Sequence, residues 1–151
     1  PATPVVLESN VDDLDPRLWP GVLDTLFAAG ASDAWLTPIL MKKGRPAHTL
    51  SVLCRPDAVA GVQAAVFAST STIGMRIVPV GKVALERTST SVEVLGRRVG
   101  VKLAVDGGHV LNVSVEYEDV AALAREQGLP VKEALRAATA AAEAAYPVSP
   151  A

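Results

Sequence analysis

The sequence predicts an α+β fold, in which a four-stranded antiparallel sheet with helices on one face is followed by further strands and two helices. Apolar segments of the first half occur in the order strand, helix, strand, strand, helix, strand. Pro38 and Pro79 fall in the second and fourth strands, and proline is tolerated at sheet edges because it cannot donate to the ladder. Beyond Gly81, alternating apolar residues and glycine turns indicate a β-rich extension. This order is that of the ferredoxin-like βαββαβ fold, whose edges are the second and fourth strands.

The first strand is predicted at Val5 to Asn10, and the first helix follows it at Pro16 to Ala29. Proline suits the first turn of a helix, and Gly30 supplies a C-terminal stop. The apolar residues of this helix recur at helical spacing, namely Leu18, Val22, Leu23, Leu26 and Phe27. We therefore expect one face of the helix to pack on the sheet.

The other three strands and the second helix are also placed by prolines and by polar turn residues between apolar segments. A turn of breakers and bases, Lys42 to Pro46, separates the second strand from the third. The second helix begins at Pro56 or Asp57 and leads through a run of hydroxyl residues into the fourth strand. The predicted bounds are Asp33 to Met41 and Thr49 to Arg55 for the strands, Pro56 to Ala68 for the helix, and Ile73 to Val80 for the last strand.

The extension after Gly81 is predicted to contain a hairpin, a third strand and two helices. Alternation at Val99, Val101, Leu103 and Val105, with turns at Gly96 and at Gly107 and Gly108, indicates the hairpin that extends or covers a sheet. The strand spans Val110 to Val115, and the helices begin at Glu116 and Pro130. We expect one compact domain divided into a core (1–81), a β extension (82–115) and helices (116–151), as a fragment of a longer protein.

Composition excludes several classes of function. Half of the 151 residues are hydrophobic, and the net charge of −2 argues against a general nucleic-acid or membrane-surface binder. Aromatic residues make up only 4% of the chain, too few for the stacking platform of a sheet that binds RNA. The single Cys54 lies in an apolar run, where a buried thiol in a reducing cytoplasm is expected. No apolar stretch is long enough to span a bilayer, and we expect a cytoplasmic protein.

The predicted topology brings three polar segments to one rim of the sheet. The first two strands run parallel and the other two antiparallel to them, so two strand ends meet two strand starts. Asn10 to Asp13, Lys42 to Pro46 and Ser69 to Gly74 therefore converge, although they are far apart in sequence. Carboxylates suit a divalent cation, Lys and Arg suit phosphate, and hydroxyls with free N–H groups complete a phosphate cradle. The sequence predicts a site for a metal-bound nucleotide or a phosphorylated small molecule.

Structural alternatives exist for the acidic residues. Asp15 is a candidate helix cap before Pro16, with Asp12 and Asp13 merely solvated, although their convergence with bases and hydroxyls favours a site. Glu116, Glu118 and Asp119 also lie where a strand becomes a helix, and the helix dipole alone would favour acids there. His48, His109 and Cys54 do not form a zinc set, and the Walker, Gly-x-Gly-x-x-Gly and Gly-x-Ser-x-Gly motifs are absent from the sequence.

Four polar segments stand out in chain order, LESNVDD at Leu7–Asp13, MKKGRP at Met41–Pro46, TSTIGMR at Thr70–Arg76 and EYED at Glu116–Asp119. In this order they resemble the signature stretches of the LarC family of nickel insertion proteins. The resemblance is to the C-terminal domain of that family and covers Val5 to about Tyr146. Each motif is modest alone, whereas four in the right order are specific.

The resemblance implies a CTP-dependent nickel insertase that acts on pyridinium-3,5-bisthiocarboxylic acid mononucleotide to form the nickel-pincer nucleotide cofactor. It implies that CTP is split to CMP and pyrophosphate with Mn²⁺ or Mg²⁺ present, that Ni²⁺ is the inserted metal, and that the protein is a homo-oligomer, a trimer or hexamer. Metal ligation is then expected of Asp12, Asp13, Glu116 and Glu118, the last two alternatively orienting a ribose. The resemblance further implies that the catalytic residues, which neutralise phosphate charge, are Lys42, Lys43 and Arg45. It implies that the residues that bind phosphate or substrate are Thr70, Ser71, Thr72 and Arg76.

Two departures from the family pattern bear on this expectation. Val115 stands where a proline is expected before the last motif, and the N-terminal domain of the family is absent from this sequence. Nickel prefers imidazole or sulfur ligands, which are scarce here, so its delivery is expected from the missing domain or from the thiocarboxylates of the substrate. The fragment could then bind CTP without inserting nickel. The rival hypothesis is a ferredoxin-like module that binds a small ligand or holds an oligomer together without chemistry.

Overall fold

A computed structural model describes residues 3–149 of the chain. Contacts between residues divide the chain into two compact units, Pro1–Lys82 and Val83–Ala151. The boundary predicted after residue 81 lies next to this division. That the parts act together as one compact domain, with a second boundary after residue 115, stays a prediction.

The first unit is a four-stranded antiparallel sheet with the strand order β2-β3-β1-β4. This order confirms the ferredoxin-like prediction and puts Pro38 and Pro79 on the edge strands, where their missing N–H groups cost no ladder hydrogen bond. Its elements in chain order are β1 (Val5–Val11), α1 (Trp19–Ala28), β2 (Asp33–Met41), β3 (Arg45–Cys54), α2 (Val59–Ser69) and β4 (Arg76–Pro79).

Four predicted starts in this unit are wrong, each for a local reason. The helices predicted from Pro16 and Pro56 each start with a 3-10 turn, Pro16–Leu18 and Pro56–Ala58, before α1 and α2 begin. β3 begins at Arg45 rather than Thr49, because the turn needs only Lys42–Gly44 and the ladder already pairs Arg45 with Met41. β4 has four residues and not the eight predicted from Ile73, since its pairing with β1 stops at Arg76.

The core of the first unit lies between the sheet and its two helices. Every second residue of β1 is buried at Leu7, Ser9 and Val11, which places this face of the strand under α1 and α2. The largest fully buried side chains come from all of these elements, namely Leu7, Leu26, Leu50, Val52, Val62 and Val66. Cys54 is buried as predicted, and desolvation raises the pKa of its thiol.

The second unit has its own three-stranded antiparallel sheet, β5 (Glu86–Val94), β6 (Arg97–Asp106) and β7 (His109–Val115), in that order. The sequence left open whether these strands extend or cover another sheet. Within the described residues they form a separate sheet and pair with no strand of the first unit. Two helices follow, α3 (Tyr117–Gln127) and α4 (Val131–Ala145). Across residues 3–149, no helix is both long and apolar enough to cross a membrane.

Both helices of the second unit pack on one face of its sheet. Val99 of β6 lies in a buried cluster with Val120 and Leu123 of α3 and with Ala134 and Ala138 of α4. The alanine face of α4 is thus buried inside its own unit, where small side chains allow a close approach to α3. The hydroxyls of Tyr146 and Thr90 lie 2.7 Å apart, and Ser149 N–H donates to the Val110 carbonyl at 2.9 Å. The last two residues lie outside the described part of the chain.

Candidate functional site

The three polar segments predicted to converge do meet at one rim of the first sheet. Arg45 Nη1 lies 3.2 Å from Asp12 Oδ2 and forms an ion pair across 33 residues of sequence. Ser71 Oγ donates a hydrogen bond to Asp13 Oδ1 at 2.5 Å, across 58 residues. Adjacent carboxylates therefore take partners from two different segments. The side chain of Asp12 is 23% exposed and that of Arg45 is 61% exposed, so both can be reached by a ligand.

A second polar chain leads from the rim onto the sheet face opposite the helices. Asn10 Oδ1 accepts hydrogen bonds from Thr49 Oγ1 at 2.9 Å and from Arg76 Nη2 at 3.0 Å. Arg76 Nε also lies 3.4 Å from Glu8 Oε2. Glu8 and Thr49 were not predicted as site residues, and Asn10 was placed in a converging segment without a role of its own. The signal for two of them was the period of β1, since residues 8 and 10 share the face that Leu7 and Val11 do not use.

The hydroxyl segment divides into structural and outward-directed residues. Thr70 Oγ1 donates to the Val66 carbonyl at 2.8 Å and so closes the end of α2. Thr72 Oγ1 donates to the Gly74 carbonyl at 2.8 Å within the loop. Ser71 alone of these three hydroxyls bonds to a carboxylate in the described structure. A role in phosphate binding stays a prediction for all three, with Ser71 the best placed beside the acidic segment.

The basic turn holds Lys43 in an unusual backbone conformation. Its φ is 63° and its ψ is 20°, so it adopts the left-handed region, as the following Gly44 does with φ 69°. This conformation costs a non-glycine residue about 1–2 kcal/mol. It lets a three-residue turn join β2 to β3 while leaving Lys42 and Lys43 exposed. A functional role for the Lys43 side chain stays a prediction.

The alternative of a helix cap holds for one aspartate of this segment. Asp15 Oδ1 accepts from the Arg17 N–H at 3.0 Å, as an N-cap residue does. Hydrogen bonds from the Arg17 side chain and backbone lower the pKa of the Asp15 carboxyl. Asp12 and Asp13 do not cap this helix and are paired with Arg45 and Ser71 instead. They are thus available to a ligand that can compete with those partners.

A cleft of about 380 Å³ opens beside Asp12. Its walls are mostly apolar, and Trp19 and His48 contact each other edge to face with ring centroids 5.9 Å apart. The lining residues are Val11, Asp12, Leu14, Pro16, Trp19, Pro38, Ile39, Pro46, Ala47 and His48. An apolar cleft that ends at a carboxylate suits a small organic molecule with one charged end.

The rim fits a divalent cation that a nucleotide helps to hold. Within residues 3–149, no three His, Cys, Asp or Glu side chains are grouped as a complete metal site. Mg²⁺ bound with nucleotides usually takes one or two protein carboxylates and completes its coordination with phosphate oxygens and water. Asp12 and Asp13 supply that number of carboxylates next to the basic turn.

The second acidic segment lies in the second unit and has partners there. Glu116 Oε1 lies 2.6 Å from Lys102 Nζ, and Asp119 Oδ2 accepts the Gly100 N–H at 2.8 Å. The Glu116 N–H in turn donates to the Gly100 carbonyl at 2.8 Å, so the start of α3 continues the ladder on β6. Asp119 therefore has a structural role. Metal ligation by Glu116 and Glu118 stays a prediction.

We expect Gly100→Ala to destabilise the second unit by about 1–3 kcal/mol, the usual cost of overpacking. A Cβ at this position would lie 2.8 Å from Glu116 Cγ and 3.1 Å from Asp119 Oδ2. The measurement is amide hydrogen exchange of Val99 and Val101. Gly81→Ala is the matched control, because a Cβ there meets no atom within 4 Å. Equal protection in the two variants would contradict the close contact.

The family model described as nickel insertion protein matches residues 2–135. The chain belongs to the nickel insertion protein family. It is 58% identical over 137 residues to the pyridinium-3,5-bisthiocarboxylic acid mononucleotide nickel insertion protein of Nocardioides, which covers 91% of this chain and 35% of that protein. The protein of the same name from a Thermotoga species is 39% identical over 133 residues, or 88% of this chain and 33% of that protein. The chain thus spans about a third of these curated relatives.

Two solved structures share the fold of this nickel insertion family chain. One is LarC2, the apo C-terminal domain of a cyclometallase involved in synthesis of the NPN cofactor of lactate racemase. It has a TM-score of 0.84 and 31% identity, covering 92% of this chain and 96% of that one. The other is protein MK0293 of Methanopyrus kandleri, with a TM-score of 0.67 and 25% identity over 96% of this chain and 89% of that one. The family resemblance seen in the sequence is confirmed.

Proposed function

We propose that this chain is the nucleotide-binding catalytic part of a nickel insertase. In this proposal it binds CTP with Mn²⁺ or Mg²⁺, splits it to CMP and pyrophosphate, and supports insertion of Ni²⁺ into pyridinium-3,5-bisthiocarboxylic acid mononucleotide to form the nickel-pincer nucleotide. The names of the relatives support the substrate and the inserted metal. A cytoplasmic location and a trimeric or hexameric assembly stay predictions.

The observation that carries the proposal is the ion pair between Asp12 and Arg45 beside Lys42 and Lys43. A nucleotide alone would have to take Arg45 away from Asp12 and would then face an unpaired carboxylate. A nucleotide that arrives with a divalent cation satisfies both partners, because the cation takes Asp12 and the phosphates take Arg45. The pair thus favours the metal complex of the nucleotide over the free nucleotide.

The charged residues of the rim have roles in this scheme. Arg45 and the two lysines of the turn would face the leaving pyrophosphate, on which negative charge grows, and cations aimed at developing charge lower the barrier. Ser71 orients Asp13 through its hydrogen bond. Arg76, which donates a hydrogen bond to Asn10, is assigned to phosphate or substrate binding. The divalent cation, held by Asp12 and Asp13 when bound, would polarise the phosphate oxygens. Nickel is the substrate metal, and we assign its ligands to the thiocarboxylates of the mononucleotide.

Pyrophosphate release tests this function. The chain is incubated with CTP, Mn²⁺, Ni²⁺ and the pyridinium mononucleotide, and pyrophosphate and CMP are quantified together. Equimolar formation of CMP and pyrophosphate that is abolished by Asp12→Asn would support the proposed enzymatic activity. CTP binding without any pyrophosphate would contradict a catalytic role for this chain alone.

The rival function is a module that binds a small ligand or assembles subunits without chemistry. The cleft beside Asp12 would suit a small ligand whether or not the chain is an enzyme, so it does not distinguish the two functions. The two functions differ in product formation, which the pyrophosphate measurement decides.

A further inference from the structure

The second unit carries a pocket of about 240 Å³ that neither the rim site nor the family motifs explain. It lies on the sheet face opposite α3 and α4. Val101 and Leu103 of β6 are buried with Ala142 of α4, so the alternate residues Lys102 and Ala104 project from the other face. The pocket is lined by Arg87, Lys102, Leu103, Ala104, Asn112 and Ser114.

The register of the sheet arranges these side chains in two adjacent rows. Ala104 pairs with Arg87 of β5 on one side and with Asn112 of β7 on the other. Lys102 pairs with Ser89 and with Ser114 in the next row of the same face. The small Ala104 is therefore surrounded by a guanidinium, an ammonium, an amide and a hydroxyl. All four of these groups can donate hydrogen bonds toward the space above it.

The charges around the pocket favour an anion. Arg87 is exposed, and no carboxylate of residues 3–149 lies within ion-pair distance of it. Lys102 Nζ is paired with Glu116 at 2.6 Å, and both side chains remain about two-fifths exposed, at 44% and 40%. Within residues 3–149, Glu116 is thus the carboxylate at ion-pair distance from these two cations, and its partly exposed side chain is free to turn toward solvent.

We propose that this pocket binds a phosphate monoester, with Arg87 and Lys102 as the charged contacts and Asn112 and Ser114 as neutral donors. A tetrahedral dianion with three terminal oxygens matches four donors from two rows better than a planar, singly charged carboxylate does. Glu116 holds Lys102 in the free chain and repels the incoming phosphate, so it weakens binding. The volume admits the phosphate, while the group it esterifies lies outside in solvent.

The phosphate-binding proposal is independent of the rim, because its residues belong to the other unit. If the proposed function also holds, the phosphate is that of the mononucleotide substrate. That final assignment rests on the proposed function, whereas phosphate binding itself does not. If the rim proposal fails, rim variants will keep their CTP binding. If the pocket proposal fails, pocket variants will keep their phosphate binding, so the two failures are distinguishable.

The test is titration of the isotope-labelled full chain with inorganic phosphate and with nicotinamide mononucleotide, in the presence of a chelator. We expect both to shift the amide signals of Ala104, Asn112 and Ser114, with the nucleotide binding by its phosphate. Arg87→Ala should weaken both affinities about tenfold or more, since a hydrogen bond to a charged group is lost. Glu116→Gln should strengthen them, an outcome that misfolding would not produce.

Arg98→Ala is the matched control, because Arg98 lies on β6 and on the same face but lines a different cleft with Ser91 and Glu93. An equal loss of affinity in Arg98→Ala would show general attraction to a basic surface and overturn the pocket. Two other results would also overturn it: no shift at Ala104, Asn112 and Ser114 with nicotinamide mononucleotide, or weaker binding in Glu116→Gln.

Discussion

Asp12→Asn will abolish the manganese dependence of CTP binding. In the presence of Mn²⁺ we expect the affinity of this variant for CTP to fall by about 100-fold. Loss of a group that only orients a metal ligand already costs about 10- to 100-fold, and Asp12 is proposed to bind the metal directly. Without any divalent cation we expect the variant to bind CTP as well as the unchanged chain or better. Its neutral amide would no longer hold Arg45 away from the phosphates or repel them.

Calorimetric titration of CTP with and without Mn²⁺ measures both arms of this prediction. Asp15→Asn is the matched control, because it removes the same charge from the same segment, and asparagine caps a helix as well as aspartate does. The exposed pair of Asp12 with Arg45 contributes little to folding, so the variant should keep its stability. A loss of affinity shared by Asp15→Asn would show that overall charge, and not the site, controls binding.

Lys43→Gly will separate the stability of the basic turn from its function. Glycine adopts the left-handed conformation of this position freely, so removing the side chain relieves strain. The relief is partly offset by the extra freedom of glycine in the unfolded chain. We expect a free energy of unfolding that is unchanged or raised by up to about 1 kcal/mol. The affinity for CTP should nevertheless fall about 10- to 100-fold, because a charged contact to phosphate is lost.

Two further variants complete this experiment. Lys82→Ala removes a lysine from a separate pocket of the same unit, beside Pro4 and Leu53, and should leave CTP binding unchanged. Gly44→Ala keeps both lysines but places a side chain at φ 69°, and should lower stability. Urea unfolding and CTP titration are measured on all of them. If Lys43→Gly binds CTP as tightly as the unchanged chain, Lys43 does not belong to the CTP site.

Much of the first unit could be predicted because its signals are local. Proline in two strands identified the edges, and an apolar run identified β1, whereas its buried face of Leu7, Ser9 and Val11 became evident only in the structure. The start of β3 was missed because Arg45 and Pro46 resemble turn residues, yet the ladder with Met41 holds them in a strand. The bounds of β4 were missed for the opposite reason. Apolar residues such as Ile73 continue the pattern of a strand where no partner strand remains to pair with them.

The site shows the same division between what is local and what is not. Composition, element order and four motifs sufficed for the fold, the family and the convergence of three polar segments, since each depends on residue type and spacing along the chain. Only the folded sheet selected the partners, Asp12 with Arg45, Asp13 with Ser71 and Glu116 with Lys102. Strand register and side-chain rotamers set those distances. Both depend on packing between segments 14 to 58 residues apart, which no local pattern encodes.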